Sequence, residues 1–268
     1  MNFSRNLGLI TKEQQAQISD ASVLICGVGG MGGVCAEVLV RLGIGKLTII
    51  DPDVFEATNF NRQLHSNQKT IGKYKVDVLK DEYLSINPEL KVKSFREGVS
   101  MKNVDSLIEG ISVVVNGMDQ LAPSILIERK AREKGIPIVD AWLTPFASVF
   151  TMTPKDPHWE EFLGFPTAGK SLEEITPEDC KVALKKEVDY TFSHSTPFKY
   201  IDKALVQDVL DGKISRPSLA PVVWLSGVLM ANEAFKLIVG YPPVGPAGVF
   251  YDQYVHQLIP GRLSARKP

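Results

Sequence analysis

The chain has 268 residues, of which 44% are hydrophobic and 23% are charged, and its formal net charge is −1. That length suits one large α/β domain, which buries enough surface to fold without a disulfide or a metal. The balanced charge argues against a general nucleic-acid or membrane-surface binder. We found no N-terminal apolar leader and no uncharged apolar run of the ~20 residues needed to cross a bilayer, so we expect a cytoplasmic protein without a membrane segment.

The first predicted elements are a strand, a glycine-rich turn, a helix and a second strand. Residues 22–27 (SVLICG) are a continuous apolar run that ends in glycine, which is typical of a strand buried on both faces in a parallel sheet. The next segment, around 34–42, has a single apolar stripe at helical spacing. Residues 47–50 form a second buried strand that ends at Asp51. The order predicts a βαβ unit.

The same alternation continues to about residue 153. Further helices are predicted over 73–86, 103–109 and 121–134, and further strands over 91–95, 111–116, 136–140 and 147–153. Strands that alternate with helices in this way predict a Rossmann-like, doubly wound α/β fold with a mostly parallel sheet.

The pattern changes over residues 154–216, where prolines and charged stretches interrupt it. We predict an irregular insertion or substrate-facing region, with short helices near 177–187 and 199–211. Its aromatic residues either line a substrate groove or, as we favour, pack the insertion onto the sheet. They are Trp159, Phe162, Phe165, Tyr190 and Phe192.

A regular pattern returns with a mostly apolar helix over 218–239 and a closing strand over 248–254. The helix is too apolar to be solvated all round, so it is either core or part of a dimer interface. We therefore predict one domain over 1–268, with its core in 1–153 and 217–268.

The turn after the first strand is rich in glycine and has the context of a nucleotide-binding fingerprint. Its glycines are Gly27, Gly29, Gly30 and Gly32. Small residues let backbone N–H groups approach a phosphate, and the following helix N-terminus adds partial positive charge. Asp51, at the end of the second strand, is placed to accept hydrogen bonds from ribose hydroxyls. This motif alone leaves ATP, NAD(P) and simple helix–strand packing open.

The residues that follow the second strand favour ATP. A cluster of polar and cationic residues follows Asp51 and Asp53; its members are Asn59, Arg62, Gln63 and Lys75. Arginine supplies a planar fork for phosphate oxygens and lysine a mobile charge, whereas a nicotinamide cofactor does not need this combination. Asp119 follows the strand at 111–116, at the edge where ligands bind. Beside phosphates, a carboxylate there suits Mg²⁺.

Taken in order, these motifs resemble the ThiF/MoeB/HesA family of E1-like enzymes. They are G-x-G-G-x-G, D-x-D, N-x-x-R-Q, G-x-x-K and a strand that leads to Asp, and the resemblance covers about residues 1–153 and 218–254. It implies that Mg·ATP and a carboxylate give an acyl-adenylate and pyrophosphate. It also implies that Asp51 holds the ribose and that Asp53 belongs to the same nucleotide site. Asn59, Arg62, Gln63 and Lys75 would surround the phosphates, and Asp119 would hold Mg²⁺. Arg5 corresponds to an arginine that members extend into a partner subunit's ATP site.

Several of these residues have simpler alternative roles. Asp119 is also a suitable cap for the helix that starts near residue 121. Asn59 could simply form a turn, and Asp51 could cap the end of its strand. Arg62 and Lys75 could be ordinary surface charges. Arg5 fits equally well as an ordinary exposed terminal residue.

The three cysteines, Cys26, Cys35 and Cys180, form no C-x-x-C pair, so we expect no structural zinc, although many relatives carry it. Cys26 and Cys35 are predicted to be core residues. Cys180 is a weak candidate for a nucleophile that takes a thioester or persulfide.

The activated carboxylate is not specified by the sequence. The resemblance implies a homodimer and a ubiquitin-like carrier or peptide as substrate, and a modified tRNA base is less favoured by the near-neutral charge. Two other functions stay open: a non-catalytic nucleotide- or partner-binding protein, and an NAD(P)-dependent oxidoreductase.

Overall fold

The computed structural model describes residues 2–142, 146–194 and 200–262, apart from the side chain of Lys203. Its strands are β1 Ser22–Cys26, β2 Lys46–Ile50, β3 Lys91–Phe95, β4 Val113–Asn116, β5 Ile138–Asp140, β6 Ala147–Met152, β7 Val249–Asp252 and β8 Gln257–Pro260. Its helices are α1 Lys12–Asp20, α2 Gly30–Leu42, α3 Lys75–Ile86, α4 Val104–Ile108, α5 Leu121–Glu133, α6 Trp159–Phe162, α7 Pro177–Ser193, α8 Lys203–Leu210 and α9 Ala220–Val239. Short 3₁₀ helices occur at Ser4–Asn6, Ala57–Asn59 and Leu172–Glu174.

The strands form one sheet in the order β3-β2-β1-β4-β5-β6-β7-β8. Strands β1 to β5 pair in parallel, and β6, β7 and β8 extend the sheet in antiparallel fashion. The predicted α/β fold with a mostly parallel sheet is confirmed.

The register places the ends of the parallel strands side by side. Cys26 at the end of β1 lies opposite Ile50 of β2 and Asn116 of β4, and Asn116 lies opposite Asp140 of β5. The segments that follow these four strands therefore emerge along one edge of the sheet, where ligands bind in open α/β sheets.

Apolar side chains alternate between the two faces of the sheet and form two cores. Val23 and Ile25 of β1 belong to the core that packs under α2, α3 and α9. Leu24 and Cys26 belong to the core that packs under α4 and α5. This is the layered arrangement that period-two alternation produces when helices cover both faces.

Helix α9 has a buried face and a partly exposed face. At a close crossing with α2, a Cβ added to Gly227 would lie 2.6 Å from the carbonyl oxygen of Met31. Met230 is buried, whereas Trp224 and Val228 are 40% and 42% exposed. By length and composition α9 is the one described helix that would reach across a membrane, but its contacts place it in the core between α2 and the sheet.

Helix α6, which is only four residues long, was not predicted, and neither were helix α1 and strand β8. Helix α1 carries only one buried residue, Ile18, so it lacks an apolar stripe, and its start is defined by a capping box between Thr11 and Gln14. Strand β8 is a short, mostly exposed edge strand that exists by pairing with β7. Helix α1 and strand β8 both depend on contacts that the periodicity of the local sequence does not predict.

The segment 154–216 is more helical than predicted. Helix α7 runs to Ser193 rather than to residue 187 and packs against α5, while α8 starts at Lys203; residue 199, where this helix was predicted to start, lies outside the described part. Trp159 and Phe165 are buried, as the packing interpretation expects. Phe192, by contrast, lines a cavity.

Candidate functional site

The glycine turn connects β1 to α2 at the shared edge of the sheet. Gly27 has φ +80°, a left-handed conformation that glycine adopts without strain, and its N–H donates to the carbonyl of Ile50 at 2.9 Å. A Cβ added at Gly32 would overlap the carbonyl oxygen of Gly27. Close approach of helix and strand therefore requires these glycines. At Gly29 the nearest atom to an added Cβ is Nε2 of Gln63 at 3.6 Å, so this part of the turn is open.

Asp51 connects the end of β2 to the glycine turn. Its carboxylate accepts hydrogen bonds from the backbone N–H groups of Val28 at 2.8 Å and Asp53 at 2.9 Å. Burial raises the pKa of Asp51, while the charge of Lys75 and the two backbone hydrogen bonds oppose that rise. Each oxygen keeps a second lone pair. Asp51 thus holds the turn, which is the strand-end role left open by the sequence, and remains able to accept from a ribose.

Lys75, at the first position of α3, points towards the same edge. Its ammonium lies 2.7 Å from the carboxylate of Asp53 and 3.9 Å from that of Asp51, and the side chain is only 7% exposed. It is therefore a buried cation between two aspartates rather than a surface charge. A phosphate that arrives at this edge meets a lysine already in place.

The segment between β2 and α3 adds polar groups to the crevice. Gln63 is buried, and its Oε1 has no hydrogen-bond partner among the described residues. Asn59 is also buried, but its Oδ1 accepts from the backbone N–H of Glu56, which is the turn role. Arg62 donates from Nη1 to the carbonyl of Thr58 at 2.9 Å. The unsatisfied amide beside Gly29 is the observation that points to a ligand, since buried polar atoms normally find a partner.

Asp119 lies in the β4–α5 connection and is exposed. Its carboxylate forms no hydrogen bond or ion pair with the described residues, and helix α5 is preceded by Gln120, which makes no side-chain capping bond. The capping alternative is therefore not observed. A free carboxylate faces solvent at the strand edge, two residues beyond Gly117, which packs against Gly27.

Arg5 is not brought to this crevice within one chain. The 3₁₀ helix that contains it has no buried residue and also includes Asn6, whose side chain donates to the carbonyl of Leu42 at the far end of α2. Since α2 spans 13 residues from Gly30, the two ends are roughly 20 Å apart. Any role for Arg5 in adenylation requires a second copy of the chain.

Three acidic residues near the end of β5 were given no role by the sequence. Asp140 accepts from the amide of Asn116 at 3.0 Å and from the backbone N–H of Ala141 at 2.6 Å, and burial raises its pKa to about 7. Burial raises the pKa of Glu187 on α7 to about 8, with Asp140 adding to the rise, and the pKa of Glu128 on α5 is raised by the same causes. Asp140 ends a predicted strand just as Asp119 follows one, so its position at a strand end could have identified it as a candidate site residue. The approach of α7 was not predictable.

The cysteines are poorly suited to nucleophilic chemistry. Cys26 and Cys35 are buried, as predicted, and burial raises the pKa of both thiols. Cys180 is partly exposed on the first turn of α7, where burial and the charge of Asp179 raise its thiol pKa. A raised pKa lowers the thiolate fraction. Among the residues that the structure describes, no group of three or more His, Cys, Asp or Glu side chains could hold a metal ion.

Comparison with known proteins agrees with this architecture. A model of the ThiF family matches residues 3–265. A tRNA threonylcarbamoyladenosine dehydratase of Bacillus subtilis is 32% identical over 140 residues, covering 52% of this chain and 55% of the relative. A molybdopterin-synthase adenylyltransferase of Salmonella typhimurium is 27% identical over 244 residues, covering 90% of this chain and 82% of the relative.

A crystal structure of PaaA superimposes with a TM-score of 0.67 at 24% identity and covers 92% of this chain and 74% of the other, which establishes a shared fold. The chain matches only about half the length of the dehydratase relatives, at 55%, 46% and 48%. The family match, by contrast, extends over nearly all of the chain. The protein therefore belongs to the ThiF family.

Proposed function

We propose that this protein is an E1-like adenylyltransferase that uses ATP to convert a carboxylate into an acyl-adenylate with release of pyrophosphate. The observation that carries the proposal is the crevice at the strand ends, where an open glycine turn, a buried lysine and a solvent-facing aspartate lie together. Membership of the ThiF family and similarity to a molybdopterin-synthase adenylyltransferase support it.

The described residues fit a nucleotide triphosphate. The backbone around Gly29 leaves space at the N-terminus of α2, where N–H groups and the helix dipole favour a phosphate. The unpartnered Gln63 amide oxygen lies buried in the same crevice and is suited to a hydroxyl or amino donor of the nucleotide. Asp51 is placed for the ribose. A nicotinamide dinucleotide would also use the glycines, but its diphosphate does not need both Lys75 and Arg62 in addition.

The proposed mechanism of adenylation follows from the charges of the two substrates. ATP and a carboxylate repel each other, so catalysis consists mainly of positioning and charge neutralisation. Lys75 and Arg62 are the cations that we assign to the phosphates. No protein nucleophile is needed, because the substrate carboxylate is ionised at neutral pH and attacks the α-phosphorus directly. The bond from the α-phosphorus to the bridging oxygen breaks, and pyrophosphate leaves with the electron pair.

Asp119 is the residue that would hold Mg²⁺. One carboxylate suffices in principle, because Mg²⁺ in nucleotide sites takes its other ligands from phosphates and water. When bound, the ion neutralises charge on the departing pyrophosphate.

The identity of the substrate carboxylate, the binding partners of the protein and its location in the cell are also proposals. The dehydratase relatives favour a substrate other than a ubiquitin-like carrier, such as a tRNA-borne carboxylate, whereas a SAMP-activating enzyme E1 of Haloferax volcanii, 28% identical over 158 residues, favours a carrier protein. We retain a carrier or peptide as the first choice because the net charge is −1. We also propose a cytoplasmic location and no structural zinc.

The proposal is tested by carboxylate-dependent exchange of pyrophosphate into ATP, with peptides, carrier C-termini and threonylcarbamoyl-adenosine as substrates. Asp119→Ala should abolish exchange and leave the melting temperature unchanged. Asp20→Ala, which removes an exposed aspartate at the opposite edge of the sheet, is the matched control and should keep full activity. Full activity of Asp119→Ala would contradict the metal assignment. Binding of NAD(H) with no affinity for Mg·ATP would overturn the function.

We further propose a homodimer in which Arg5 acts on the partner's site. The exposed apolar side chains of α9, Trp224 and Val228, offer an interface beside Arg62, whose carbonyl accepts from the indole of Trp224 at 2.8 Å. Arg5→Ala and Asp119→Ala should each be inactive. Mixing them should restore about a quarter of the activity, because half of the dimers are mixed and each holds one intact site. No restoration, from proteins shown to exchange subunits, would refute the trans assignment.

A further inference from the structure

A cavity of about 250 Å³ lies between α7, α8 and the beginning of α9. Its walls are mainly apolar; they include Leu184, Val188, Leu205, Val209, Val222 and Tyr254. The volume is slightly below the roughly 300–1,000 Å³ of small-molecule sites, which suits a group of about the size of one amino-acid residue.

The cavity adjoins the proposed nucleotide crevice. Val223 lines it, and the same side chain packs on the glycine turn: a Cβ added to Gly30 would lie 2.5 Å from Cγ1 of Val223. Trp142, two residues beyond the end of β5, forms another part of the wall. The cavity is therefore separated from the glycine turn by a single side chain, at the edge where the acyl-adenylate would form.

One acidic and one basic side chain line this mainly apolar space, beside the hydroxyl-bearing residues Thr191, Tyr200, Ser218 and Tyr254. Glu187 and Arg216 both line the cavity, and neither forms a hydrogen bond or ion pair with the described residues. Burial keeps the pKa of Glu187 near 8, so at neutral pH its carboxyl group is mostly protonated and can both donate and accept. A half-buried carboxyl group with no hydrogen-bond partner among the described residues can select a ligand that supplies one.

We infer that this cavity receives the acyl group of the substrate, and that the acyl group is apolar, of residue size, and carries a hydroxyl or similar hydrogen-bonding group that meets Glu187. The inference rests on the proposed adenylation function and narrows its substrate class. A carrier protein that ends in glycine has no side chain to fill this space. The cavity thus favours a small acid, or a peptide whose last residue has an apolar side chain.

The test uses non-hydrolysable mimics of the acyl-adenylate, the 5′-O-(N-acylsulfamoyl)adenosines, because one molecule then occupies both sites. Three acyl groups are compared by calorimetry: acetyl, 3-phenylpropanoyl and 3-(4-hydroxyphenyl)propanoyl. We expect the phenyl compound to bind at least about tenfold more tightly than the acetyl compound, through burial of its ring. The hydroxyl should add a further gain of about fivefold or more.

Two variants test which residues cause these gains in affinity. Leu184→Trp fills the cavity and should remove the preference for the aryl compounds while leaving the affinity for the acetyl compound unchanged, which also shows that the protein is folded. Glu187→Leu should remove only the difference between the phenol and the phenyl compound.

The outcomes separate the two proposals. If none of the three compounds binds, the adenylation function itself is overturned. If all bind with equal affinity, or if Leu184→Trp keeps the aryl preference, the acyl cavity is refuted and the function stands. A phenol preference that survives in Glu187→Leu overturns the role of Glu187.

Discussion

Replacing Glu187 with glutamine should make the protein more stable, and the gain should grow with pH. In the native state burial raises the pKa of this carboxyl group from its ordinary value of 4.5 to about 8. Between these two values the unfolded chain has released the proton and the folded chain still binds it. Wild-type stability therefore falls as pH rises through this interval and levels off above pH 8.

The upper limit of the effect follows from the pKa. One pKa unit corresponds to about 1.4 kcal/mol, so the rise from 4.5 to about 8 amounts to at most about 5 kcal/mol. Because Glu187 faces a cavity that water can enter, and Arg216 lies on the same cavity, we expect roughly 2–3 kcal/mol at pH 8.5 and less than about 1 kcal/mol at pH 5.

Urea unfolding of the wild type and of Glu187→Gln at pH 5, 6.5 and 8.5 measures the difference, and the comparison cancels all other titrating groups. Glu178→Gln, which changes an exposed residue in the first turn of the same helix, is the control; it should alter stability by less than about 1 kcal/mol, and by the same amount at the three pH values. A difference between the wild type and Glu187→Gln that is constant across the three pH values would show that Glu187 ionises normally in the folded protein.

Two further predictions concern stability. Gly32→Ala should lower the free energy of unfolding by about 3 kcal/mol or more and abolish nucleotide binding, because the new Cβ overlaps the carbonyl oxygen of Gly27. Gly98→Ala should be tolerated, because no atom lies within 4 Å of its new Cβ. Equal melting temperatures of the two variants would contradict the close packing at Gly32. Arg129→Ala should cost about 3–5 kcal/mol in urea unfolding, because it leaves Glu160, only 3% exposed, without the guanidinium that contacts both its oxygens at 2.7 Å. Arg129→Lys should recover part of that loss, and a loss below 1 kcal/mol for Arg129→Ala would indicate that Glu160 is neutral.

The sequence alone determined the parallel part of the sheet and the glycine crevice. Strands such as β1 are buried on both faces and therefore read as uninterrupted apolar runs, and the residues after them, Asp51 and Asp119, necessarily emerge at one edge. These are local patterns combined with a topological rule, so no long-range contact was needed. The polar helix α1 and the exposed strand β8 have no such pattern.

The partners of the charged residues and the cavity beside the crevice depend on how distant segments pack together. Lys75 is buried between two aspartates because α3 begins against the end of β2, and Gln63 lacks a partner because a loop folds it against Gly29. The pKa of Glu187 is raised by burial and by the charge of Asp140, which lies 47 positions earlier in the chain and is brought near by the packing of α7. Burial and charge proximity depend on which segments pack together, and no spacing within a single segment encodes that.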